Sequence, residues 1–283
     1  MIAVTGANGQ LGKLVIKSLL EKVDANTVVA LVRNPDNAQD LAKLGVQVRQ
    51  ADYNQPATLA PALKGVNKLL LISSSEVGQR AVQHQAVIEA VKGSDVSLLA
   101  YTSILKADSS PMMLAQEHKL TEQAIHAAKI PAVILRNGWY NENLSQNLAG
   151  VLQSGVVASA AQDGRFSSAS RADYAQAAAN VLTSPQSQAG KIYELAGDAS
   201  FSQQEFADDV AKQSKQTIQY MNLSEKDLAQ ALVGHGLPEG LADVLADSDV
   251  QAKEGWLFDD GGALSALIGR NTTSISQSIK EAL

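Results

Sequence analysis

The sequence predicts an α/β protein in which a Rossmann-like, doubly wound parallel sheet is joined to a smaller mixed α/β lobe toward the C-terminus. Three observations lead to this fold class. Short β-branched or aliphatic runs alternate with longer stretches of helical spacing through the first half of the chain. A glycine-rich turn follows the first run and leads into the first helical stretch. After Arg136 this alternation stops, and helical patterns dominate from residue 202 onward.

The first half of the chain reads as successive strand–helix–strand units. Several of its runs are apolar at consecutive positions, which is typical of strands whose two faces are both buried in a parallel sheet. Right-handed crossovers are expected between such strands. The predicted strands are 2–5, 27–32, 46–49, 68–72, 97–101 and 132–135, and the predicted helices are 11–20, 37–44, 57–63, 79–91 and 113–128.

The second half has a different pattern and predicts a separate lobe. We expect a boundary near residue 150, with a sheet domain at 1–150 and a smaller lobe at 151–283 that interleaves with the first. The features that define this half are a polar and aromatic loop at 137–143, an alanine-rich helix at 172–182, a short strand at 191–196, and glycine-rich breaks at 234–240 and 261–262.

The composition excludes several classes of protein. The 283 residues include no cysteine, so disulfides, thiolate metal sites and a cysteine nucleophile are ruled out. The net charge of −6 argues against nonspecific nucleic-acid binding, because a polyanion would be repelled. No apolar run reaches the roughly 18 residues of a membrane span, and no secretory signal opens the chain. We therefore expect a cytoplasmic protein that acts on a small molecule, as a monomer or a homodimer.

The glycine turn predicts a dinucleotide site. Gly6, Gly9 and Gly12 follow the first strand and open a helix whose predicted apolar face is Leu11, Leu14, Val15, Ser18 and Leu19. In such a turn the first glycine permits tight bending, the second lets the backbone approach a ligand, and the third lets helix and strand pack closely. The N-terminus of the helix then offers unpaired N–H groups to a pyrophosphate. The alternative is a glycine-rich turn without a ligand.

The end of the second predicted strand indicates which dinucleotide binds. NAD-binding proteins carry an acidic residue about 20 residues beyond the glycines, where it bonds the ribose 2′-hydroxyl. This chain has Arg33 at that point and no acid. A guanidinium there would pair with a 2′-phosphate, so we expect NADPH, with NADH as a weaker alternative. The alternative for Arg33 is a solvated side chain at the end of a strand.

Polar residues also follow the third and fourth predicted strands. Asp52 is a candidate acceptor for the adenine amino group, although it reads equally well as a turn residue before Pro56. Ser73, Ser74 and Ser75 follow the fourth strand at the carboxyl edge of the sheet, where ligands of open α/β sheets bind. They are expected to contact the cofactor, although small hydroxylated residues are also plain turn formers.

Motifs along nearly the whole chain resemble the NmrA-like branch of the atypical short-chain dehydrogenases/reductases, and in particular its bacterial quinone reductases. The glycine turn alone is generic, whereas LISSSEVGQR and LRNGWYNEN are specific. The motifs that carry the resemblance are TGANGQLG, LVRNP, QADY, LLLISSSEVGQR, AYTS, EHKLTE, LRNGWYNEN, SRADYA, LAGD and GLPEGLADVLADSDV.

The resemblance implies an NADPH-dependent reductase of quinones and similar electrophilic carbonyl acceptors. It makes residues 1–150 the NAD(P)-binding domain and 151–283 a substrate-covering lobe. It implies nicotinamide contacts from the loop after the sixth strand, and an approach of the segment ending at Arg171 to cofactor or substrate. The cofactor contacts it implies are Gly6, Ala7, Asn8, Gly9, Gln10, Leu11, Arg33, Ser73, Ser74, Ser75, Asn137, Gly138, Trp139, Tyr140, Asn141 and Glu142.

The chemistry of that loop supports a role at the reacting end of the site. An amide such as that of Asn137 suits a carboxamide, and Trp139 or Tyr140 suits a flat acceptor ring by offset stacking. The alternative is that the two aromatic side chains only fill space between the lobes. Asn137, Trp139 and Tyr140 are therefore candidate catalytic residues.

The tyrosine–lysine pair of the wider dehydrogenase family is missing. The positions that correspond to it carry Leu114 and His118, and Lys119 points about 100° away from His118 on a helix. This absence argues against alcohol oxidation and sugar epimerisation, which need a positioned acid or base. Quinone reduction tolerates it, because the product oxyanion is stabilised by conjugation. His118 is a candidate proton donor, and its alternative is a histidine on the helix surface.

Two function classes remain open at this point. The leading hypothesis is an NADPH-dependent oxidoreductase that transfers hydride to quinones or carbonyl acceptors. The rival is a dinucleotide-binding redox sensor without catalysis, which the missing tyrosine–lysine pair suits equally well. The four histidines show no metal-ligand spacing and no G-x-S-x-G motif is present, so neither a metal site nor a nucleophile elbow is predicted.

Overall fold

The computed structural model describes residues 1–283 and has the predicted parallel sheet. The nine strands are β1 (Ile2–Val4), β2 (Val28–Val32), β3 (Gln47–Gln50), β4 (Lys68–Leu71), β5 (Leu98–Ile104), β6 (Ala132–Asn137), β7 (Val156–Ser159), β8 (Ile192–Leu195) and β9 (Gln219–Asn222). The thirteen α-helices are α1 (Gln10–Leu20), α2 (Gln39–Ala42), α3 (Leu59–Ala62), α4 (Arg80–Lys92), α5 (Met113–Ala127), α6 (Glu142–Ser145), α7 (Leu148–Ser154), α8 (Arg171–Thr183), α9 (Gln203–Ser214), α10 (Glu225–Gly234), α11 (Glu239–Lys253), α12 (Ala263–Ile268) and α13 (Ile275–Ala282).

Seven strands form one sheet in the order β3-β2-β1-β4-β5-β6-β8. The chain runs outward from β1 to the edge strand β3 and then returns to β4 on the other side of β1. Pairings from β3 to β6 are all parallel, so their carboxyl ends meet at one edge. The order reverses at β1 and β4, and the crevice beside such a reversal is where open α/β sheets bind ligands.

Burial explains why the strands could be recognised from sequence. Every residue of β2 and β5 is buried, and β3 at the edge is half-buried or exposed. A continuous apolar run is therefore correct for the inner strands of a doubly covered sheet. All six predicted strands of the first half are confirmed, and β5 extends three residues past its predicted end.

Two of the predicted helices are mostly replaced by tighter turns. The expected helices at 37–44 and 57–63 are 3₁₀ turns at Pro35–Ala38 and Pro56–Thr58, each followed by one turn of α-helix. Proline favours the first turn of a helix, and Gly45 and Gly65 follow with φ of 83° and 73°. Only short helices fit between these two signals.

The chain divides into two compact units that alternate along the sequence. The first comprises Met1–Ile104, Glu117–Asn137 and Arg171–Tyr193, and the second comprises Leu105–Gln116, Gly138–Ser170 and Glu194–Leu283. These units interleave, and their limits differ from the expected boundary at residue 150. The reason is that α8 packs against α1, which returns residues 171–193 to the first unit.

Within the first unit, α1 buries a slightly different face from the one expected. Its buried residues include Val15, Leu19 and also Ile16, whereas Leu14 and Ser18 are only half-buried. Because α8 contacts α1 in addition to the sheet, the buried stripe is wider than a single face. The core of this unit joins side chains from β1, β2, β4 and β5 to apolar residues of α3 and α4.

The second unit has its own small parallel sheet of β7 and β9, surrounded by helices. Helix α9 begins with a capping box, in which Ser202 Oγ accepts from Glu205 N and the Glu205 carboxylate accepts from Ser202 N. The expected loop at 137–143 is shorter than predicted, because Asn137 ends β6 and Glu142 begins α6. None of the helices combines the length and the hydrophobicity that a membrane-spanning helix needs.

Candidate active site

The turn between β1 and α1 has the geometry that its three glycines predicted. Gly6 has φ of 55°, a left-handed conformation that suits glycine. Its carbonyl oxygen accepts from Gly9 N at 2.9 Å, and Gly9 is the N-cap of α1 without a capping side chain. The first N–H groups of an eleven-residue helix are therefore not covered by a side chain at the cap, which is the arrangement that suits an anion.

Gly12 is required by close packing. A Cβ atom at this position would lie 2.7 Å from Ala7 Cα, and closer still to the carbonyl oxygen of Gly6. Both neighbours are backbone atoms and cannot move aside. The third glycine thus lets α1 approach the end of β1, as the motif requires.

A cavity of about 410 Å³ lies at the carboxyl ends of β1, β2, β3 and β4. All of its lining residues belong to the first unit. It brings together the glycine turn and the polar residues predicted after each strand, whereas the predicted contact Ala7 is fully buried and does not line it. The predicted residues that line it are Gly6, Asn8, Gly9, Gln10, Leu11, Gly12, Arg33, Asp52, Ser73, Ser74 and Ser75.

Arg33 forms an ion pair across the rim of this cavity. Its Nη1 lies 2.9 Å from Oε1 of Glu76, and the side chain is 70% exposed. The side chain is therefore solvated, as the sequence-based alternative had it, and it also has a carboxylate partner, so the phosphate contact of Arg33 stays a prediction. The free nitrogens of Arg33 stay available to a phosphate.

Glu76 is held by two further donors. Gln83 Nε2 donates to Glu76 Oε2 at 2.7 Å, and Asn54 Nδ2 donates to the same oxygen at 3.4 Å. These bonds and Arg33 lower the pKa of Glu76 below its usual value, so the carboxylate is ionised at neutral pH. Gln83 is 2% exposed, and its Oε1 has no hydrogen-bond partner in the protein although the residue lines the cavity.

Asp52 serves its own turn and also lines the cavity. Its Oδ1 accepts from Asn54 N at 3.0 Å, and its Oδ2 accepts from Gln55 Nε2 at 3.1 Å. Asp52 thus stabilises its own turn, and its contact with the adenine amino group stays a prediction. The neighbouring Tyr53 reaches Thr5 Oγ1 and donates to the Ile72 carbonyl at 3.0 Å. Burial raises the pKa of Tyr53, so the phenol is neutral.

Side chains of α4 hold both polar groups of the Ser74 backbone. Ser74 N donates to His84 Nε2 at 3.0 Å, and Arg80 Nε donates to the Ser74 carbonyl at 2.5 Å. Ser73 N donates to Thr102 Oγ1 at 2.9 Å. Glu117 of α5 accepts from the backbone at the start of α4, with 2.9 Å to Arg80 N. The serine segment beside the cavity is therefore rigidly positioned.

His118 is buried rather than on the helix surface. It is 5% exposed, and its Nδ1 lies 2.8 Å from the Tyr101 hydroxyl. Its Nε2 lies 3.4 Å from Arg80 Nη1, and burial beside Arg80 keeps the pKa of His118 well below its usual value. The surface alternative is therefore wrong. His118 does not line the cavity, and a role as proton donor stays a prediction.

The end of β6 carries a buried ion pair that sequence reasoning did not identify. Arg136 Nε and Nη2 donate to the two carboxylate oxygens of Glu122 at 3.0 and 2.7 Å. Ser103 Oγ donates to the same carboxylate at 2.6 Å. The Glu122 carboxylate of α5 thus joins Arg136 of β6 to Ser103 of β5. Asn137 follows directly and lies opposite Ile104 of β5.

The loop after Asn137 is part of the second unit, where it is tied to residue 169. Ala169 N donates to the Trp139 carbonyl at 3.2 Å, and Asn141 N donates to the Ala169 carbonyl at 2.9 Å. Gly138 N donates to Leu195 O at 2.7 Å. Trp139 and Tyr140 are half-buried, as is Glu142. The backbone of this loop is thus fixed by pairing, while its aromatic side chains retain exposed surface.

Asn141 has a structural use that sequence reasoning did not anticipate. It is fully buried, and its Oδ1 accepts from Ser168 Oγ at 2.6 Å. Its Nδ2 donates to the Thr273 carbonyl at 2.9 Å and to Ser278 Oγ at 3.0 Å. The side-chain amide is therefore engaged within the second unit, so any cofactor contact by Asn141 would come from its backbone. Arg171 is the first residue of α8, in the first unit.

Eight residues that line the cavity were missed by the sequence reasoning, namely Val32, Asn37, Ala51 and Ile72 together with the interacting polar residues Tyr53, Asn54, Glu76 and Gln83. Three of these four polar residues had a signal in the sequence, because Tyr53 and Asn54 directly follow Asp52 and Glu76 directly follows Ser75. Their position just past a predicted strand end places them at the same edge of the sheet. Gln83 lies one turn inside α4, and only tertiary structure brings it to the cavity.

Comparison with known proteins gives matches along the whole chain. Quinone oxidoreductase 2 of Escherichia coli (strain K12) is 54% identical over 99% of this chain and 97% of the relative. A crystal structure of the E. coli NADPH-dependent quinone oxidoreductase with NADPH superposes with a TM-score of 0.96, at 53% identity and 99% coverage of both chains. The Citrobacter sp. triphenylmethane reductase with NADP(H) gives a TM-score of 0.95 at 36% identity, covering 100% of both chains.

The same relationship is found at the level of the family. Residues 1–281 match the NmrA-like family, which covers the glycine turn, the serine segment and the loop after β6 together. The resemblance seen in the sequence motifs is thereby confirmed. This chain belongs to the NmrA-like family.

Proposed function

We propose that this protein is an NADPH-dependent oxidoreductase that transfers hydride to quinones or similar electrophilic carbonyl acceptors. The observation that carries the proposal is the cavity over the β1–α1 turn, where Gly12 packs on backbone and Arg33 stands at the rim. The 54% identical relative is named a quinone oxidoreductase, and a structure of such an enzyme contains NADPH.

The residues of the cavity fit this cofactor. The place of a Cβ at Gly12 is filled by backbone, so α1 begins close against the end of β1, where its first N–H groups can bind a pyrophosphate. Gln83 Oε1 and Asn8 Oδ1 are buried acceptors without partners, which suits the donor groups of an adenosine moiety. Arg33 would hold the 2′-phosphate, and the serine segment Ser73–Ser75 would flank the nucleotide. When bound, NADPH supplies the hydride.

The part played by the protein is then mainly to position the reactants. The loop Asn137–Glu142 is proposed to hold the nicotinamide end, with Trp139 and Tyr140 beside a flat acceptor. Without the tyrosine–lysine pair, the proton comes from water or a nearby hydroxyl, which a conjugated oxyanion tolerates. We further propose that the protein is cytoplasmic and functions as a monomer or a homodimer.

Acceptor-dependent oxidation of NADPH distinguishes an oxidoreductase from a redox sensor without catalysis. Oxidation of NADPH is followed by its absorbance in the presence of a panel of quinones, with calorimetric binding of NADPH and NADH measured in parallel. We expect acceptor-dependent oxidation and tighter binding of NADPH. Tight binding without any acceptor-dependent turnover supports the sensor, and no binding of either nucleotide overturns both functions.

A further inference from the structure

The ion pair of Arg33 and Glu76 crosses the carboxyl end of β1. Arg33 directly follows β2, and Glu76 lies five residues after the last residue of β4. In the sheet, β1 stands between β2 and β4. Neighbouring strands lie about 4.8 Å apart, so the pair bridges a gap of roughly 10 Å over the glycine turn. A dinucleotide that lies on this turn must therefore contact the ion pair of Arg33 and Glu76.

The two partners are anchored to different degrees. Glu76 also accepts from Gln83 Nε2 at 2.7 Å and Asn54 Nδ2 at 3.4 Å, and its own N–H donates to Ser74 Oγ at 3.1 Å. Arg33 makes one side-chain bond, through Nη1, and is 70% exposed. The carboxylate is thus fixed in place, whereas the guanidinium can turn toward another anion.

We propose that Glu76 is a specificity-determining residue that competes with the 2′-phosphate of the nucleotide for Arg33. This inference rests on the proposed function. A nucleotide with a 2′-phosphate takes the guanidinium away from the fixed carboxylate of Glu76. The carboxylate then lies unpaired beside the negative charge of the 2′-phosphate. A nucleotide with a 2′-hydroxyl has no charge to exchange, so Arg33 stays on Glu76. Glu76 therefore weakens binding of NADPH more than binding of NADH.

Glu76 stays ionised under the conditions in which the competition matters. Gln83, Asn54 and Arg33 together lower its pKa below the usual value for a glutamate. Neutralising Glu76 without changing its shape is therefore the direct way to remove the competition. Glu76→Gln does this and keeps an oxygen that can accept from Gln83.

The test uses probes that carry only the adenosine end of the cofactor. Adenosine 2′,5′-bisphosphate and ADP are titrated by calorimetry into the wild-type protein and into Glu76→Gln. We expect the 2′-phosphate probe to bind about threefold to fivefold tighter to the variant, which is the scale of an exposed ion pair. ADP affinity should change by less than about twofold. Weaker or unchanged binding of the 2′-phosphate probe overturns the proposal.

A control variant and a second mutant background test whether the gain in affinity has another cause. Glu89→Gln removes an exposed carboxylate of α4, which pairs with Lys92 at 2.9 Å and does not line the cavity, and it should leave both affinities unchanged. In an Arg33→Gln background, Glu76→Gln should alter affinity for the 2′-phosphate probe by less than about twofold. If Glu76→Gln raises the affinity for the 2′-phosphate probe equally in both backgrounds, Glu76 acts by simple repulsion of the phosphate. That result overturns the proposed competition for Arg33.

The failure of this inference can be told apart from the failure of the proposed function. If the wild-type protein binds NADPH and reduces quinones while Glu76→Gln gains no affinity, only the competition is wrong. If the wild-type protein binds neither NADPH nor the 2′-phosphate probe, both are wrong. Turnover of the wild-type enzyme is therefore measured on the same preparations.

Discussion

The backbone N–H of Ser74 donates to Nε2 of His84 at 3.0 Å, and this bond requires His84 to be neutral. His84 Nδ1 lies 2.9 Å from Thr121 Oγ1, which places the ring proton on that nitrogen. Burial and the charge of Arg80 lower the pKa of His84 to about 4. A segment that lines the nucleotide cavity thus depends on the protonation state of a histidine outside it.

This dependence predicts a loss of stability in mild acid. In the unfolded chain His84 is protonated below about pH 6.5, whereas in the folded protein it stays neutral down to about pH 4. Between these two pH values the unfolded state therefore binds more protons than the folded state. The free energy of unfolding should therefore fall as pH falls through this window, by about 1.4 kcal/mol per pH unit for this histidine. Urea denaturation at several pH values measures it.

His84→Gln isolates this contribution, because glutamine keeps an acceptor for Ser74 N but does not titrate. The slope of unfolding free energy against pH should be shallower in the variant by about 1.4 kcal/mol per pH unit. His118 titrates in the same direction and is present in both proteins. Identical slopes for the two proteins would contradict the assignment of a neutral, buried His84.

Gly12→Ala should damage both stability and nucleotide binding. The new Cβ would collide with backbone of Gly6 and Ala7, so α1 must move away from β1. We expect a loss of about 1–3 kcal/mol in the free energy of unfolding and weaker NADPH binding. Gly234→Ala is the matched control, because Gly234 is exposed at the end of α10 with nothing within 4 Å of its Cβ position. Equal stability of both variants would contradict the packing argument.

Arg33→Asp should reverse the choice of cofactor. Loss of a charged hydrogen bond costs about 1.5–3 kcal/mol, and the new carboxylate also repels the phosphate. NADPH binding should therefore weaken by at least that amount, while NADH binding changes little. Calorimetric titration of both nucleotides gives the difference. Equal affinity of the wild-type protein for NADH and NADPH would remove the basis of this prediction.

Asn141→Asp should destabilise the second unit. It places a carboxylate oxygen against the Thr273 carbonyl, which now receives a bond from Nδ2 at 2.9 Å. Breaking a buried network by adding an unpaired charge costs about 3–5 kcal/mol. Asn147→Asp, at an exposed position of the same segment, should stay within about 0.5 kcal/mol of wild type. Thermal unfolding of the two variants gives the comparison.

His118→Gln should lower stability more than turnover. The wild-type side chain is buried against Tyr101 and Arg80, and it lies outside the cavity lining. We expect kcat with a quinone to stay within about twofold of wild type, whereas loss of a general acid costs about a hundredfold or more. A hundredfold fall in kcat in a variant that unfolds like the wild type would identify His118 as the proton donor.

The parts of the fold that the sequence predicted correctly depend on short stretches of chain. A few neighbouring residues determine each of these features, which are the buried strands, the glycine turn and the polar residues at strand ends. The helix expected at 37–44 was wrong because proline and glycine signals at its two ends left room for only one turn. Local patterns succeed where local sterics and burial decide the structure.

The sequence by itself thus determined the parallel sheet, the turn for a pyrophosphate and a basic residue at the end of β2. Only the tertiary structure decided what these groups contact. Arg33 meets Glu76, 43 residues away, and Asn141 meets Thr273, 132 residues away. Such contacts follow from the order of strands in the sheet and the packing of distant segments, which no short stretch of sequence encodes.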